Sequence, residues 1–339
     1  MPDAIALGEL LIDFVSIEKD MPLSQLPTFA GAAGGAPANV AVGLARLGVS
    51  AGFIGKVGDD PFGEFLRHTI EAEHVDVRGL RTASGARTTL AFIATRSDGR
   101  KDISFHRNPG ADMLLTADEI SMDYLTSAQV FHFGSVSLSR SPAREATLHA
   151  AAAAKKADLL VSYDPNWRPS LWDDPMEARG IIWQAMPLAH VVHCAFEEWE
   201  FVTGTADLEA GARKVFEAGP RLVVVTQGEL GCYFDDGTHR GQQPGFAVDV
   251  VDPLGAGDAF VAAMLSRLMG MSSGQPRSRE GLCETMVYAN AAGALTCMKR
   301  GVIPALPTAE EVAAFLSTHQ ACARYGRSPN EVPSGERLR

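Results

Sequence analysis

From Ala128 to Ala218 short apolar runs alternate with longer helix-forming stretches, and no other feature of the chain restricts its fold so much. Val130–Phe133, Leu159–Tyr163, Val191–His193 and Leu222–Thr226 read as buried strands, being short, apolar and rich in β-branched and aromatic residues. Between them Pro142–Ala157, Pro175–Met186 and Leu208–Ala218 read as helices, the first carrying the alanine run Ala150–Ala154. A strand followed by a helix returns parallel to its neighbour, by a right-handed crossover. The expected architecture is α/β: a doubly wound, mostly parallel sheet flanked by helices. Ligands bind such sheets beyond the carboxyl ends of the strands, so chemistry is to be sought in the loops that follow strands.

The amino-terminal third is less regular. Ile5-Ala6-Leu7 ends at Gly8-Glu9, and a second apolar run, Leu10–Val15, encloses Asp13. A looser, proline-containing stretch covers Met21–Phe29, and Gly31–Gly35 reads as a small-residue loop. Pro37 opens a helix over Ala38–Leu47 that Gly48 stops. A strand at Ala51–Val57 and a helix from Pro61 to Glu73 follow. Thr88–Arg96 and Asp102–His106 are β-rich but broken by polar residues, with Ser97-Asp98-Gly99 as a hairpin signal between them. These runs are expected in a small exposed sheet. After the last parallel strand, Cys232–Asp235 and Gly245–Val251 read as an antiparallel pair. Helices are expected over Gly257–Leu268, Glu280–Met298 and Ala309–His319. One domain should cover residues 1–320, with residues 321–339 a polar tail.

Net charge is −11 with no offsetting Lys/Arg cluster, which argues against nucleic-acid binding. No apolar run approaches the ~18 residues of a membrane span, and the start of the chain lacks a leader pattern, so a cytoplasmic location is expected. Cys194, Cys232, Cys283, Cys297 and Cys322 show no zinc-ligand spacing and read as reduced thiols. His190 and His193 flank a strand and read as structural. There is no Gly-x-x-x-x-Gly-Lys-Ser/Thr loop, and no Gly-x-Gly-x-x-Gly follows the first strand, so neither a P-loop enzyme nor a dinucleotide enzyme is indicated.

Two loop-to-helix junctions carry chemistry. At Gly255-Ala256-Gly257-Asp258, small residues open a helix, expected here just after a strand. Backbone N–H groups at a helix start suit the charge of a transferring phosphoryl group, and Asp258 is placed to take the proton of an attacking hydroxyl. A capping aspartate after a glycine turn is the plainer reading. At Gly34-Gly35-Ala36-Pro37-Ala38-Asn39 the backbone can approach a ligand, and Asn39 offers a donor and an acceptor to a polyol; a tight turn with an exposed Asn would look the same. Asp13 needs partners among its apolar neighbours, either sugar hydroxyls or the protein itself. Arg168, in Asp164-Pro165-Asn166-Trp167-Arg168, could clamp a phosphate or sit in a surface turn. Thr226-Gln227-Gly228 with Gly231 could line a nucleotide pocket or form a hairpin turn.

Together these segments resemble the PfkB (ribokinase-like) carbohydrate kinases from Ala4 to about Leu316, and among them fructokinases. The resemblance lies in Gly34–Asn39 running into Val40–Gly48 and in Asp252–Asp258. It extends to Gly8–Phe14, Phe53–Asp60, Arg107–Leu115 and Ser162–Asn166. It implies an ATP-dependent kinase with Asp258 as base and the backbone of Gly255, Ala256 and Gly257 as anion hole. Asp13, Gly34, Gly35 and Asn39 would hold the sugar; Arg107 would reach the sugar or its phosphate; Asn166 and Arg168 would face the phosphates. Thr226, Gly228, Gly231 and Asn290 would border ATP. Mg²⁺ would bridge the phosphates, near Glu198 through water, and K⁺ would bind at Asp252 and the Leu254 carbonyl. Residues about 10–30 and 85–110 would form a β lid and a homodimer surface. Two departures from the family pattern are Pro253, which removes an N–H, and Ala195, which replaces a polar residue ahead of Glu198. The expected reaction is phosphorylation of the 6-hydroxyl of D-fructose; a 2-dehydro-3-deoxygluconokinase and a non-catalytic sugar sensor are the alternatives.

Overall fold

The computed structural model describes residues 1–96, 101–269 and 278–319. In the amino-terminal part strands β1 (Ala4–Leu7), β2 (Leu11–Lys19) and β3 (Phe29–Gly34) lead into helix α1 (Ala36–Arg46). Strand β4 (Ala51–Gly58), helix α2 (Pro61–Ala72) and strands β5 (Asp76–Ala83), β6 (Leu90–Thr95) and β7 (Lys101–His106) follow. The middle alternates α3 (Met122–Leu125), β8 (Val130–Gly134), α4 (Ala143–Lys156), β9 (Leu160–Asp164), α5 (Pro175–Ala185), β10 (Val191–Ala195), α6 (Phe196–Thr203), α7 (Leu208–Glu217) and β11 (Leu222–Thr226). The last part has β12 (Cys232–Asp235), β13 (Arg240–Gln243), α8 (Ala256–Leu268), α9 (Arg279–Cys297) and α10 (Ala309–Thr318).

Nine strands form the main sheet, in the order β13-β12-β11-β10-β9-β8-β1-β4-β5. All pairs from β11 to β5 are parallel, and β12 and β13 add an antiparallel edge. The chain winds from β1 to β4 and β5, then reverses to β8. The switch point between β1 and β8, at the strands' carboxyl ends, is where sheets of this kind open a ligand crevice. Alternate residues feed two cores. Ala4, Ala6, Leu222 and Val224 pack with α1, α8 and α9, while Ile5, Leu7, Val223 and Val225 pack with α4, α5 and α6. Helices α1 and α8 touch at Gly43, where a Cβ would lie 2.7 Å from that of Ala262. Among the described residues no helix is long and apolar enough to cross a membrane.

The exposed sheet is present, in the order β3-β2-β6-β7. It is mixed: β2 and β6 run parallel, and the outer pairs run antiparallel. The Ser97–Gly99 turn signal lies outside the described residues, as do Cys322 and the 321–339 tail. Other expectations are corrected. Most of Gly31–Gly35 is strand β3 rather than loop, because its small residues let it pair with β2. Strand β5 had no apolar run to reveal it; it is an edge strand carrying Asp76, Arg78 and Arg81. Gly245–Val251 is not a strand. Phe246 packs on Phe315 at 5.1 Å, so its apolar residues serve the α9–α10 core, and the polar Arg240–Gln243 pairs with β12 instead.

The sheets are joined at Gly8-Glu9-Leu10, the short link between β1 and β2. Glu9 is buried, accepts the Ala36 N–H at 3.0 Å through Oε1, and leaves Oε2 with no hydrogen-bond partner. Burial, with the Asp112 carboxylate adding and Arg107 opposing, pushes its carboxyl up to about 7. A carboxyl raised in the folded state stabilises the fold below its ordinary value of 4.5, and that contribution is lost as pH rises through about 7. Glu9→Gln, which is neutral throughout, should therefore raise the melting temperature at pH 8 by on the order of 2 °C or more. The gain should vanish at pH 4. Calorimetry across that range checks it; equal melting points at pH 8 would mean that the ionised form is compensated in place.

Candidate active site

The first wall of the crevice is the start of α1. Gly35 has φ 111°, and a Cβ there would collide with the Glu9 carbonyl oxygen, so only glycine fits this entry to the helix. The Asp13 carboxylate on β2 lies over the Cα of Gly34, where any side chain would displace it. Asn39 sits one turn into α1 and is buried. Its Nδ2 donates to Asp258 Oδ2 at 2.8 Å, and its Oδ1 is buried with no hydrogen-bond partner.

The second wall is the start of α8. No strand leads into it, contrary to expectation; residues 244–254 are coil ending in a bend and a turn. They are fixed by tertiary bonds, since the Val251 and Asp252 N–H groups both donate to the Cys297 carbonyl. Asp252 ties the loop by accepting from Leu254 N at 3.0 Å and Gly301 N at 3.1 Å. Gly255 caps α8 with φ 80°, its Cα pressed against Val302. A Cβ on Gly257 would meet nothing within 4 Å, so this turn faces open space. The N–H groups of a first helical turn have no partner inside the helix, and Asp258 stands among them. Pro253 lies ahead of the turn and removes none of the N–H groups from Gly255 onward.

The third wall comes from the ends of β9, β10 and β11. Asp164 is buried and lies 2.9 Å from His193 Nδ1; His193 Nε2 lies 3.2 Å from the Thr226 hydroxyl. Burial raises both acids here, but His193 outweighs it for Asp164, which is held below the ordinary range. Glu198 is pushed up to about 7, first by burial and then by Asp164. Its oxygens accept from Ala195 N at 3.1 Å and Trp167 N at 2.6 Å, so it caps α6 and pins the loop after β9. Ala195 contributes only its N–H to this cap. Asn166 has φ 44° in that loop, and Trp167 stacks on Phe201 with centroids 3.6 Å apart. Arg168 curls back, with Nη1 3.3 Å from the carbonyls of Asn166 and Trp167.

The nucleotide-side candidates are partly structural. Thr226 is half-buried at the end of β11, and Gly228 and Gly231 have φ 57° and 91° in the turn after it. Gly231 has no room for a side chain beside the Gln243 carbonyl. Asn290 is buried and donates to the carbonyls of Gln243 and Pro244, both at 3.1 Å, so it anchors the chain beside this turn. Arg107 is likewise built in: its guanidinium pairs with Asp112 at 2.6 Å and donates to Ser139 Oγ at 2.7 Å. Of the residues here, Glu9 was not singled out from the sequence, and His193 was read there as structural. Glu9 could have been found as a charge at the end of the first apolar run. His193 could have been found as a polar residue inside the run Val191–Ala195.

The structure thus brings Asp13, Gly34, Gly35 and Asn39 against Asp258 and the α8 turn, with Asp164, Asn166, Glu198 and Thr226 across from them. A model of the pfkB family of carbohydrate kinases matches residues 1–309. Fructokinase-1 of Zea mays is 44% identical over 309 residues, covering 91% of this chain and 95% of the maize protein. Fructokinase-1 of Oryza sativa subsp. japonica is 43% identical over 315 residues, covering 93% and 97%. Among solved structures, the fructokinase of Xylella fastidiosa with bound ATP superposes with a TM-score of 0.85 at 32% identity, covering 94% of this chain and 100% of that one. The fructokinase of Vibrio cholerae with fructose, ADP and calcium gives 0.83 at 33% identity, covering 93% and 99%. The crevice, its paired helix starts and these relatives lead to one conclusion: the chain belongs to the pfkB family of carbohydrate kinases and is an enzyme of that class.

Proposed function

We propose that this enzyme is an ATP-dependent fructokinase that phosphorylates the 6-hydroxyl of D-fructose. The observation that carries the reading is the 2.8 Å bond from Asn39 to Asp258, which joins the sugar-side helix start to the phosphate-side one. The plant relatives and the ligand-bound neighbours are named fructokinases, which supports fructose and ATP as the substrate pair.

Asp13, Gly34, Gly35 and Asn39 hold the sugar with its primary hydroxyl against Asp258. The Asn39 donor holds one oxygen of Asp258 and so orients the carboxylate. Asp258 takes the hydroxyl proton as the oxygen attacks the γ-phosphorus; the bond to the bridging oxygen breaks, and ADP leaves with its electrons. The first-turn N–H groups of α8, from Gly255 to Gly257, accept the charge that builds on the transferring group. Arg168 and Asn166 face the phosphates, and Thr226, Gly228 and Gly231 border the nucleotide. Asn290 takes part only by anchoring the adjacent chain.

Among the described residues no three acidic, His or Cys side chains form a metal cage. Mg²⁺ would come in with the phosphates, with Glu198 reaching it through water. The ion would neutralise charge on the phosphate oxygens. K⁺ would take the Leu254 carbonyl and the remaining lone pairs of Asp252. A 2-dehydro-3-deoxygluconate carboxylate would need unspent positive charge facing the sugar, and the Arg107 guanidinium is already matched by Asp112. That favours a neutral sugar. A homodimer through the small sheet is supported by its aromatic face, where Phe14 stacks on Phe92 and meets Phe62, which is 41% exposed.

ADP release measured over a sugar panel should respond to fructose and not to the keto-deoxy acid; the reverse pattern would reassign the substrate. Asp258→Asn should lower kcat by roughly 10² or more while fructose affinity stays nearly intact, because the base acts in the transition state. Turnover at the wild-type rate would remove Asp258 from that role. Light scattering should give a particle of about twice the chain mass, and Phe62→Ser should shift it to one copy of 36.1 kDa. A wild-type monomer at micromolar concentration would rule out the small-sheet dimer.

A further inference from the structure

His193 leaves β10 on the face covered by α8, with its ring 5.6 Å from that of Phe260 and only 2% of its surface exposed. It takes no part in the chemistry outlined above, yet it joins two walls of the crevice. Nδ1 is 2.9 Å from Asp164 Oδ2, where β9 runs into the 165–168 loop, and Nε2 is 3.2 Å from Thr226 Oγ1, where β11 ends.

Hydrogen-bond polarity limits this arrangement. A carboxylate only accepts, so Nδ1 carries the proton facing Asp164. Nε2 then has two states. Bare, it accepts the Thr226 hydroxyl proton, and that hydroxyl can offer the pocket only lone pairs. Protonated, it donates to Oγ1, and the hydroxyl's own proton turns away from the ring. The groups facing the ring are mostly acidic: Asp164 from β9, Glu198 from α6 and Asp258 from α8. His132 from β8 and Arg168 act on Asp164 from further out. Burial pulls His193 down, but these carboxylates outweigh it, so its shift is upward.

We propose that His193 is a positioning residue of the phosphoryl-transfer site: as an imidazolium held by Asp164, it fixes the Thr226 hydroxyl as a donor toward a phosphate oxygen of ATP. The inference rests on the reading that Thr226 borders the nucleotide.

A double-mutant cycle on the full chain tests it, with the KM for ATP and for fructose measured separately. ATP affinity by calorimetry runs beside it, so that the outcome stands even where fructose is not the sugar. Thr226→Val should raise the KM for ATP about tenfold, the scale of one lost hydrogen bond to a charged group. The KM for fructose should stay within about twofold, the scatter expected of a site not touched. His193→Leu should do the same, and the double variant should be no worse than either single one. His193→Lys keeps a donor and a positive charge and should hold the KM for ATP within about threefold of wild type. If Thr226→Val leaves ATP binding unchanged, the placement of Thr226 is wrong and the proposal falls with it. If Thr226→Val weakens ATP but His193→Leu does not, or if the two effects add in full, the role of His193 is overturned while the placement of Thr226 stands. Where His193→Leu fails to fold, His193→Lys decides: a tenfold rise in the KM for ATP overturns the proposal.

Discussion

Everything chemical in this protein depends on how closely α1 and α8 approach. Gly43 and Ala262 meet with no space for a larger side chain, so the two helices pack nearly backbone to backbone. That contact lies one to two turns below both helix starts. It brings two turns that are 219 positions apart in sequence to within one hydrogen bond, Asn39 to Asp258. A bulkier residue at position 43 would part the helices and separate the two helix starts before disturbing either alone.

The crevice is also an electrostatic compromise. Asp164, Glu198 and Asp258 surround His193 at the ends of β9–β11, and Glu9 is buried against the start of α1. As fully ionised carboxylates they would repel a nucleotide. The protein reduces that charge by burial, which pushes Glu9 and Glu198 up to about 7, and by placing His193 against Asp164. Asp258 is only half-buried, and its Oδ2 accepts the Asn39 amide N–H.

The parallel core was legible because its strands are buried on both faces and its helices are long. The apolar runs around Val161 and Val224 could not have been solvent-facing, and Ala150–Ala154 left little but helix. Elements whose partners rather than residues define them were not legible. Strand β3 is made of small residues and exists because β2 lies beside it; β5 hides behind edge charges; Phe246 is apolar for the sake of Phe315. The same distinction runs through the site. Gly35, Gly255 and Asp258 announced themselves by residue type at a helix start. Asn290 and Arg107 have the right residue types, but their hydrogen bonds are spent on Gln243, Pro244 and Asp112, which only the tertiary structure discloses. His193 looked like an ordinary residue of a buried strand because its partners come from β9 and β11.

The small sheet is attached to the large one by few strands of chain: Gly8–Leu10, Gly34–Gly35, the Thr88–Thr89 stretch and the segment from Arg107 to Ala111. Each crossing carries a residue of the crevice or one braced against it. Glu9 holds the Ala36 N–H, Gly34 supports Asp13, Thr89 bonds Asp112, and Asp112 holds Arg107. The joints between the sheets are therefore also the walls of the candidate site. Any ligand seated among those walls would load every connection between the two sheets at once.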